Sequence, residues 1–332
     1  MTNSEPATAP PKFGTVFSES MAIARFEDGS WSALEMVSPD SITFHPATHA
    51  LHYGSACFEG LKAHRHPDGS VHAFRADDHV RRLVQSAARL CLPAPPNELL
   101  AAAITDTVEA NAAATPEPPG SLYLRPVLMG TDLDIGAAAT PSRSALLYVL
   151  ASPVGEYLPP RPLRIVVETE IPRTTPQFGV VKTGANYAMA LGVIGAAREQ
   201  HGADQVLFAP DGAVEETGAA NVVLLADGHL LTPALTDGFL HGVTRDSLLR
   251  LVRDRGWTVE ERAITVDDVR EWIARPSAEM ALTGTAAVLA SVGELIVDGA
   301  PIAVGSGSTS LAAELRTALT DVQTGRAQAT WV

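Results

Sequence analysis

VVKTGANYAMAL, residues 180–191, is the stretch on which the reading of this chain turns. Within it stands Lys182, one of only three lysines (Lys12, Lys62 and Lys182) beside 21 arginines. Arginine replaces lysine wherever only a positive charge is needed. It does not replace it as an amine nucleophile, because the guanidinium stays protonated while a lysine amine can be tuned to lose its proton. A lysine kept in such a chain is a candidate for Schiff-base chemistry. A bias toward alanine, arginine and proline would leave the same three lysines with no chemistry at all.

Composition narrows the choice of function. A chain of 332 residues has room for two domains of ordinary size. Its 46% hydrophobic content describes a core-forming protein and not a disordered one. A formal charge of −14 argues against nucleic acid or an anionic membrane as partner, since no basic field attracts phosphates. There is no 18-residue apolar run, and the start, MTNSEPATAPPKF, is polar and proline-rich. Residues 1–12 are expected to be a disordered leader, and the protein cytoplasmic. Two cysteines, Cys57 and Cys91, make neither a disulfide framework nor a metal knuckle; both are expected to pack as small buried thiols. No metal is expected.

Outward from the lysine, the pattern is α+β on both sides. Upstream, FSESMAIARF, SWSALEMV and SVHAFRA read as strands, and SLYLRPVLMG and SALLYVLASPV as buried strands. HVRRLVQSAARLCL has helical spacing with Val80, Leu83, Val84 and Ala87 on one face, and NELLAAAITDTVEANAA is a second helix. GEYLPPRP, residues 155–162, ends a strand, and its prolines stiffen the connection. It is taken as a linker between an N-terminal domain (13–154) and a larger C-terminal domain (163–332). Downstream come the strand LRIVVETE, the helix AMALGVIGAAREQ, the strand pair QVLFAPDGAVEE and NVVLLADGHLLTP, and helices TRDSLLRLVRDRG, VDDVREWIAR and LAAELRTALTDVQ. Asp-Gly pairs at 211–212 and 227–228 mark hairpins.

Several features suit an anionic cofactor. In LHGVTRDSLLRL a glycine precedes Val243 and Thr244 where a helix begins, and free amides at a helix start suit phosphate; a threonine there is more commonly only a cap. Gly284, Thr285 and Ala286 interrupt the apolar run ALTGTAAVLASV, as a tight turn exposing amides or as a bulge. Of the pair Arg81–Arg82, one faces solvent and the other could clamp phosphate. Glu215–Glu216 is either a polar rim or a carboxylate that keeps a heteroaromatic nitrogen protonated. Schiff-base lysine, phosphate site and carboxylate are together what pyridoxal phosphate requires.

With these parts assembled, the chain resembles the branched-chain amino acid aminotransferases of the fold-type IV pyridoxal-phosphate class. VVKTGANYAMAL, AVEETGAANVVLL, GFLHGVTRDSLL and LTGTAAVLASV carry the likeness, in the family's order and spacing. FHPATHALHYGSACFEGLKAH, FRADDHVRRLVQSAARLCLP, SLYLRPVLMGTD and TDVQTGRAQATWV extend it from about Phe13 to Val332. The resemblance implies two α/β domains with the cofactor at their interface. It implies reversible transfer of the amino group of leucine, isoleucine or valine to 2-oxoglutarate, by a homodimer.

Residue by residue, the resemblance implies that Lys182 forms the Schiff base and shuttles the proton between the substrate Cα and the cofactor's C4′. Tyr187 hydrogen-bonds the cofactor's phenolate oxygen, and Glu216 pairs with its pyridine nitrogen. Arg82, Val243, Thr244 and Thr285 hold the phosphate. Tyr123, with amides around Thr285 and Ala286, takes the substrate α-carboxylate, and Arg125 takes the second carboxylate of glutamate. Phe13, Tyr53 and Phe58 line the apolar side-chain pocket, Tyr53 entering from the neighbouring subunit. Apolar walls bind the aliphatic substrate at roughly 1–3 kcal/mol per methylene, while a rim arginine meets the γ-carboxylate.

The chain departs from the pattern in places. Ala185 stands where a second glycine is common, Ala219 where animal relatives have threonine, and the Cys-x-x-Cys pair of some animal members is absent. D-amino-acid aminotransferases and aminodeoxychorismate lyases share the lysine and glutamate. The Asn186–Tyr187 pair and the YLR element around Arg125 favour the branched-chain branch. A non-catalytic scaffold with this fold would have lost Lys182 or Glu216, and both are present.

Overall fold

The computed structural model describes residues 13–157, 161–226, 228–305 and 310–332. The expected leader at 1–12 and the linker residues 158–160 lie outside them. Two eight-stranded sheets account for the chain, one on each side of the proline-rich segment.

In the first sheet, strands β7 (Ser121–Gly130) and β8 (Ala145–Val154) pair antiparallel over all ten residues. β1 (Met21–Glu27) adds to β8, with the short β2 (Ser30–Trp31) and β3 (Glu35–Val37) on β1. Residues 30–37, read from sequence as one strand, are two. Against β7 lie β4 (Ala56–Phe58) and then β5 (Leu61–Arg65), which also pairs with β6 (Val71–Ala73). Along β7 the side chains alternate between faces. Leu122, Leu124 and Leu128 join Cys57, Leu61 and Ala63 in a core roofed by helices α2 (Ala76–Arg89) and α3 (Asn97–Ala110). Tyr123, Arg125 and Val127 are therefore left on the other face. So are their ladder partners, Lys62 opposite Tyr123 and Phe58 opposite Val127. That face looks toward the second half of the molecule.

The second sheet is mixed. Its order runs β10 (Gln205–Phe208), β9 (Leu163–Glu168), β15 (Val288–Val297), β14 (Glu279–Gly284), β11 (Asn221–Ala226), β12 (His229–Pro233), β13 (Thr258–Arg262), with β16 (Ala300–Ala303) on β15. Val223, Leu225 and Ala281 pack one face against α5 (Val243–Asp254) and α7 (Leu311–Gln323). Val222, Leu224, Met280 and Leu282 pack the other with α6 (Val266–Ile273). Helix α4 (Gly184–His201) lies on β10. It begins four residues before its apolar pattern does, because Thr183 caps it by accepting from the Ala185 amide. β11 and β12 pair antiparallel up to Ala226 opposite His229, as the expected hairpin requires, and Asp227 lies outside the described residues. At 211–212 the chain also turns back, with Glu215 N donating to Phe208 O, but residues 213–217 make bridges and no regular strand.

The expectation for the cysteines holds for one and fails for the other. Cys57 is buried, and its burial, with Glu59 beside it, pushes the thiol up to about 12. Cys91 is exposed. It follows the end of the α2 helix at φ 52°, where the chain reverses and turns the side chain outward. No helix among the described residues is long and apolar enough to cross a membrane, and none of their His, Cys, Asp and Glu cluster as a metal site.

Candidate active site

Lys182 sits in the extended approach to α4 and is stitched to the first half of the chain. Its amide donates to Ser86 Oγ of α2 (3.1 Å), and its carbonyl accepts from Phe58 N of β4 (3.0 Å). Thr183 Oγ1 donates to Ala56 O at 2.7 Å. Asn186 ties the preceding loop, donating to Phe178 O and Val181 O and accepting from Thr174. With its backbone fixed this way, Lys182 aims Nζ at the hydroxyl of Tyr187, 2.8 Å away. The rings of Phe58 and Tyr187 lie 5.1 and 5.4 Å from the same nitrogen.

Glu216 is 2% exposed. Its carboxylate pairs with Arg173 Nη1 at 2.9 Å and accepts from Leu240 N (3.0 Å) and Asn221 Nδ2 (3.3 Å). Burial pushes its carboxyl above the usual range, with Arg173 and the Leu240 amide pulling the other way. Arg173 also lies over the Tyr187 ring, 5.5 Å from its centroid, so Glu216 and Tyr187 share one neighbour. Glu215 points elsewhere, against Gly238, and is half-buried. Burial and the nearby Glu216 raise it to about 7.

Of the arginine pair, Arg81 is exposed on Asp78 while Arg82 is buried. A carboxylate that sequence reasoning did not single out already grips Arg82. Glu59 accepts from its Nε (2.6 Å) and Nη2 (2.8 Å), and His241 O accepts from Nη1 (2.8 Å). Glu59 also accepts from His79 Nδ1 at 2.7 Å. Complete burial would raise the Glu59 carboxyl, but Arg82 and His79 hold it well below the usual carboxylate range. Burial keeps His79 below its ordinary value, with Glu59 pulling the other way. Beside this clamp α5 begins at Val243 and Thr244. Its N-cap is Gly242, with no side-chain cap, and the first helical bond runs from Asp246 N to Gly242 O. The amides before Asp246 are the unsatisfied donors of a helix start. A Cβ on Gly242 would lie 2.1 Å from Asn221 Oδ1, so only glycine fits between that side chain and the helix start.

The remaining predicted residues come from the facing sheet and the β14–β15 turn. Residues 285–287 form a turn and not a bulge within a strand. Arg125 Nη2 donates to Tyr123 Oη at 2.8 Å, and the guanidinium stacks over Phe58 (4.7 Å) and Tyr123 (5.4 Å). Phe13 packs edge-on against Tyr123, centroids 5.0 Å apart, and also meets Tyr157. Phe58 contacts Tyr187 at 5.4 Å, which joins this aromatic wall to the lysine. A Cβ on Gly60 would lie 2.1 Å from Tyr123 Oη, so that glycine is what lets the tyrosine in. Tyr53 is not brought into this cluster. It lies on α1 (His49–Tyr53) and donates to Ile135 O.

The match to the class IV amino-transferase family covers residues 56–295. A branched-chain-amino-acid transaminase of Bacillus subtilis is 38% identical over 325 residues, 95% of this chain and 90% of its own. This chain belongs to the branched-chain amino acid aminotransferase family. Among solved structures, the branched-chain aminotransferase of the thermophilic archaeon Thermoproteus uzoniensis, solved with norvaline, aligns with TM-score 0.75 at 26% identity, covering 93% of this chain and 96% of that one. The Escherichia coli branched-chain amino acid aminotransferase aligns with TM-score 0.75 at 26% identity, covering 94% and 97%. The family's cofactor is pyridoxal 5'-phosphate, and the residues fit it. An uncapped helix start and an oriented arginine suit the phosphate, and a buried glutamate suits the ring nitrogen. Arg125 Nε is buried without a hydrogen-bond partner, so the cluster still has a donor to give.

Proposed function

We propose that this protein reversibly transfers the amino group of leucine, isoleucine or valine to 2-oxoglutarate at the cluster around Lys182. One observation carries the choice of substrates. Arg125 is laid over the Phe58 and Tyr123 rings with no ion-pair partner among the described residues. A wall of that kind accepts a branched aliphatic chain by burial and a γ-carboxylate by charge, in the same place.

When bound, the cofactor supplies an electron sink for the charge left at the substrate Cα. The chain's own groups do the rest. Lys182 Nζ would take the proton from the substrate Cα and deliver it to the cofactor's C4′, and would carry it the other way in the return half-reaction. Tyr187 Oη orients the amine before and after that transfer. Glu216, buried and oriented by Asn221 and Arg173, holds a proton at the ring nitrogen. Arg82, oriented by Glu59, holds the phosphate together with the Val243 and Thr244 amides and Thr285. Tyr123 and amides of the 285–287 turn hold the α-carboxylate. Phe13 and Phe58 exclude water around the side chain.

We place the protein in the cytoplasm as a homodimer, with Tyr53 completing the pocket of the partner subunit. Leu51 is exposed on the helix that carries Tyr53, exposed Ile135 accepts from Tyr53, exposed Leu133 bridges Thr48 at the head of that helix, and exposed Met189 and Leu191 follow the lysine on α4. Apolar exposure gathered around site elements suits a buried interface. The test is a single-turnover cycle. L-leucine should bleach the bound chromophore and 2-oxoglutarate should restore it. Bleaching by D-alanine in place of L-leucine would transfer the site to the D-amino-acid branch.

A further inference from the structure

Lys62 has no part in that chemistry, yet it is a buried lysine at the edge of the site, 7% exposed. Its ladder partner on β7 is Tyr123, so both side chains leave the sheet on the same face. From there Nζ crosses to the other half of the molecule and donates to Ala286 O at 2.7 Å. Among the described residues, Lys62 is the one side chain that hydrogen-bonds the 285–287 turn.

That turn needs an anchor. Ala286 and Ala287 have only methyl side chains, which offer no hydrogen bond to lock it, and cavities adjoin it on two sides. Lys62, His64, Glu156 and Arg316 line one cavity, and Thr217, Ala219 and Ala220 the other. In a trans peptide the carbonyl and the following N–H point in opposite directions. Holding Ala286 O toward Lys62 therefore turns the Ala287 amide away from it. Burial lowers the Lys62 amine to about 8, with Arg316 adding to this and Glu156 opposing it, which leaves it mostly charged at neutral pH. A charged donor polarises the peptide it holds and strengthens that amide as a donor to an anion.

We infer that Lys62 is a positioning residue for the substrate carboxylate, fixing the orientation of the 285–287 amides through its bond to Ala286 O. The inference rests on the reading of that turn as the carboxylate site. Lys62 touches neither substrate nor cofactor; it acts through the peptide.

The probe is 4-methylvalerate, which has the chain and carboxylate of leucine and no amine to react. It is titrated into the holoenzyme and followed by the shift in cofactor absorbance. Lys62→Met keeps the stem and removes the donor; its Kd should rise about tenfold, the low end for a lost charge-assisted bond. The limiting rate of the leucine half-reaction should change little, the signature of a binding effect. Lys62→Arg should recover most of the affinity. If Lys62→Met does not fold, Lys62→Gln, shorter and uncharged, is measured with the same expectation. An unchanged Kd in these variants, or a lost limiting rate at unchanged Kd, overturns the role of Lys62 alone. If the wild type itself does not bind 4-methylvalerate, the carboxylate reading of the turn falls, and the inference with it.

Discussion

Arg125 lies over Phe58, its guanidinium carbon 4.7 Å from the ring centroid. The arginine is held flat by an aromatic wall and not by a carboxylate, so its charge remains available. If it binds the γ-carboxylate of glutamate, its loss should injure that half-reaction selectively. A charge-assisted contact is worth roughly 1.5–3 kcal/mol, so Arg125→Ala should cost about ten- to a hundredfold in glutamate kcat/KM. Leucine should lose less, through the missing cover on Phe58 and the lost bond to Tyr123. Single-turnover kinetics of each amino acid decide it, and equal losses would make Arg125 structural.

Glu216 and Glu215 should separate cleanly. Glu216→Gln should slow the chemical step by orders of magnitude with a modest loss of cofactor affinity. Glu215→Gln should leave the rates nearly unchanged, and the reverse pattern would mean that the wrong carboxylate faces the ring.

Glu215 should instead show itself in stability. Its carboxyl is raised to about 7 from the usual value of 4.5 by burial and by Glu216. A raised acid contributes stability that is fully present below the unfolded value and is lost as pH rises through the folded one. Thermal midpoints of wild type and Glu215→Gln should thus be close at pH 5, with the variant ahead at pH 8. A variant that is ahead at pH 5 and not at pH 8 would contradict the placement.

Glu59 is predicted to matter as much for folding as for the phosphate. Removing one partner of a buried ion pair typically costs about 3–5 kcal/mol, because the other charge is left uncompensated. Glu59→Gln should show such a loss in denaturant melts and should release cofactor on dialysis that the wild type retains. Its carboxyl is held low, so its contribution is present above the usual carboxylate range and fades as pH falls. A stable variant with full cofactor would show that Arg82 is oriented without it.

Much of this was legible in the chain. SLYLRPVLMG is β7 to the residue and LAAELRTALTDVQ is α7 to the residue, because their periodicity survives folding unchanged. Lys182 and Tyr187, and Glu216, lie in local motifs whose spacing the fold leaves close together. The supporting groups were harder to see. Glu59 meets Arg82 from 23 residues away, and Lys62 meets Ala286 across 224. The first bond exists only once α2 is packed on its own sheet, and the second only once the two halves of the chain meet, so no local pattern announces them. The alternation on β7 was the available signal, since it already placed Tyr123 and Arg125 on one face. The paired strand β5 adds Lys62 to that face only after the ladder is known. Tyr53 was read from the resemblance, and in its own chain it lies apart from the lysine.

If Lys182 carries the cofactor, borohydride reduction of the holoenzyme followed by peptide mapping will show it. With only Lys12, Lys62 and Lys182 in the chain, the possible labelled peptides are few. A single pyridoxyl label on Lys182 is expected, with a Lys182→Ala protein that binds cofactor weakly, takes up no label and loses nearly all turnover. A label on Lys62, the other buried amine at the edge of the site, would contradict it.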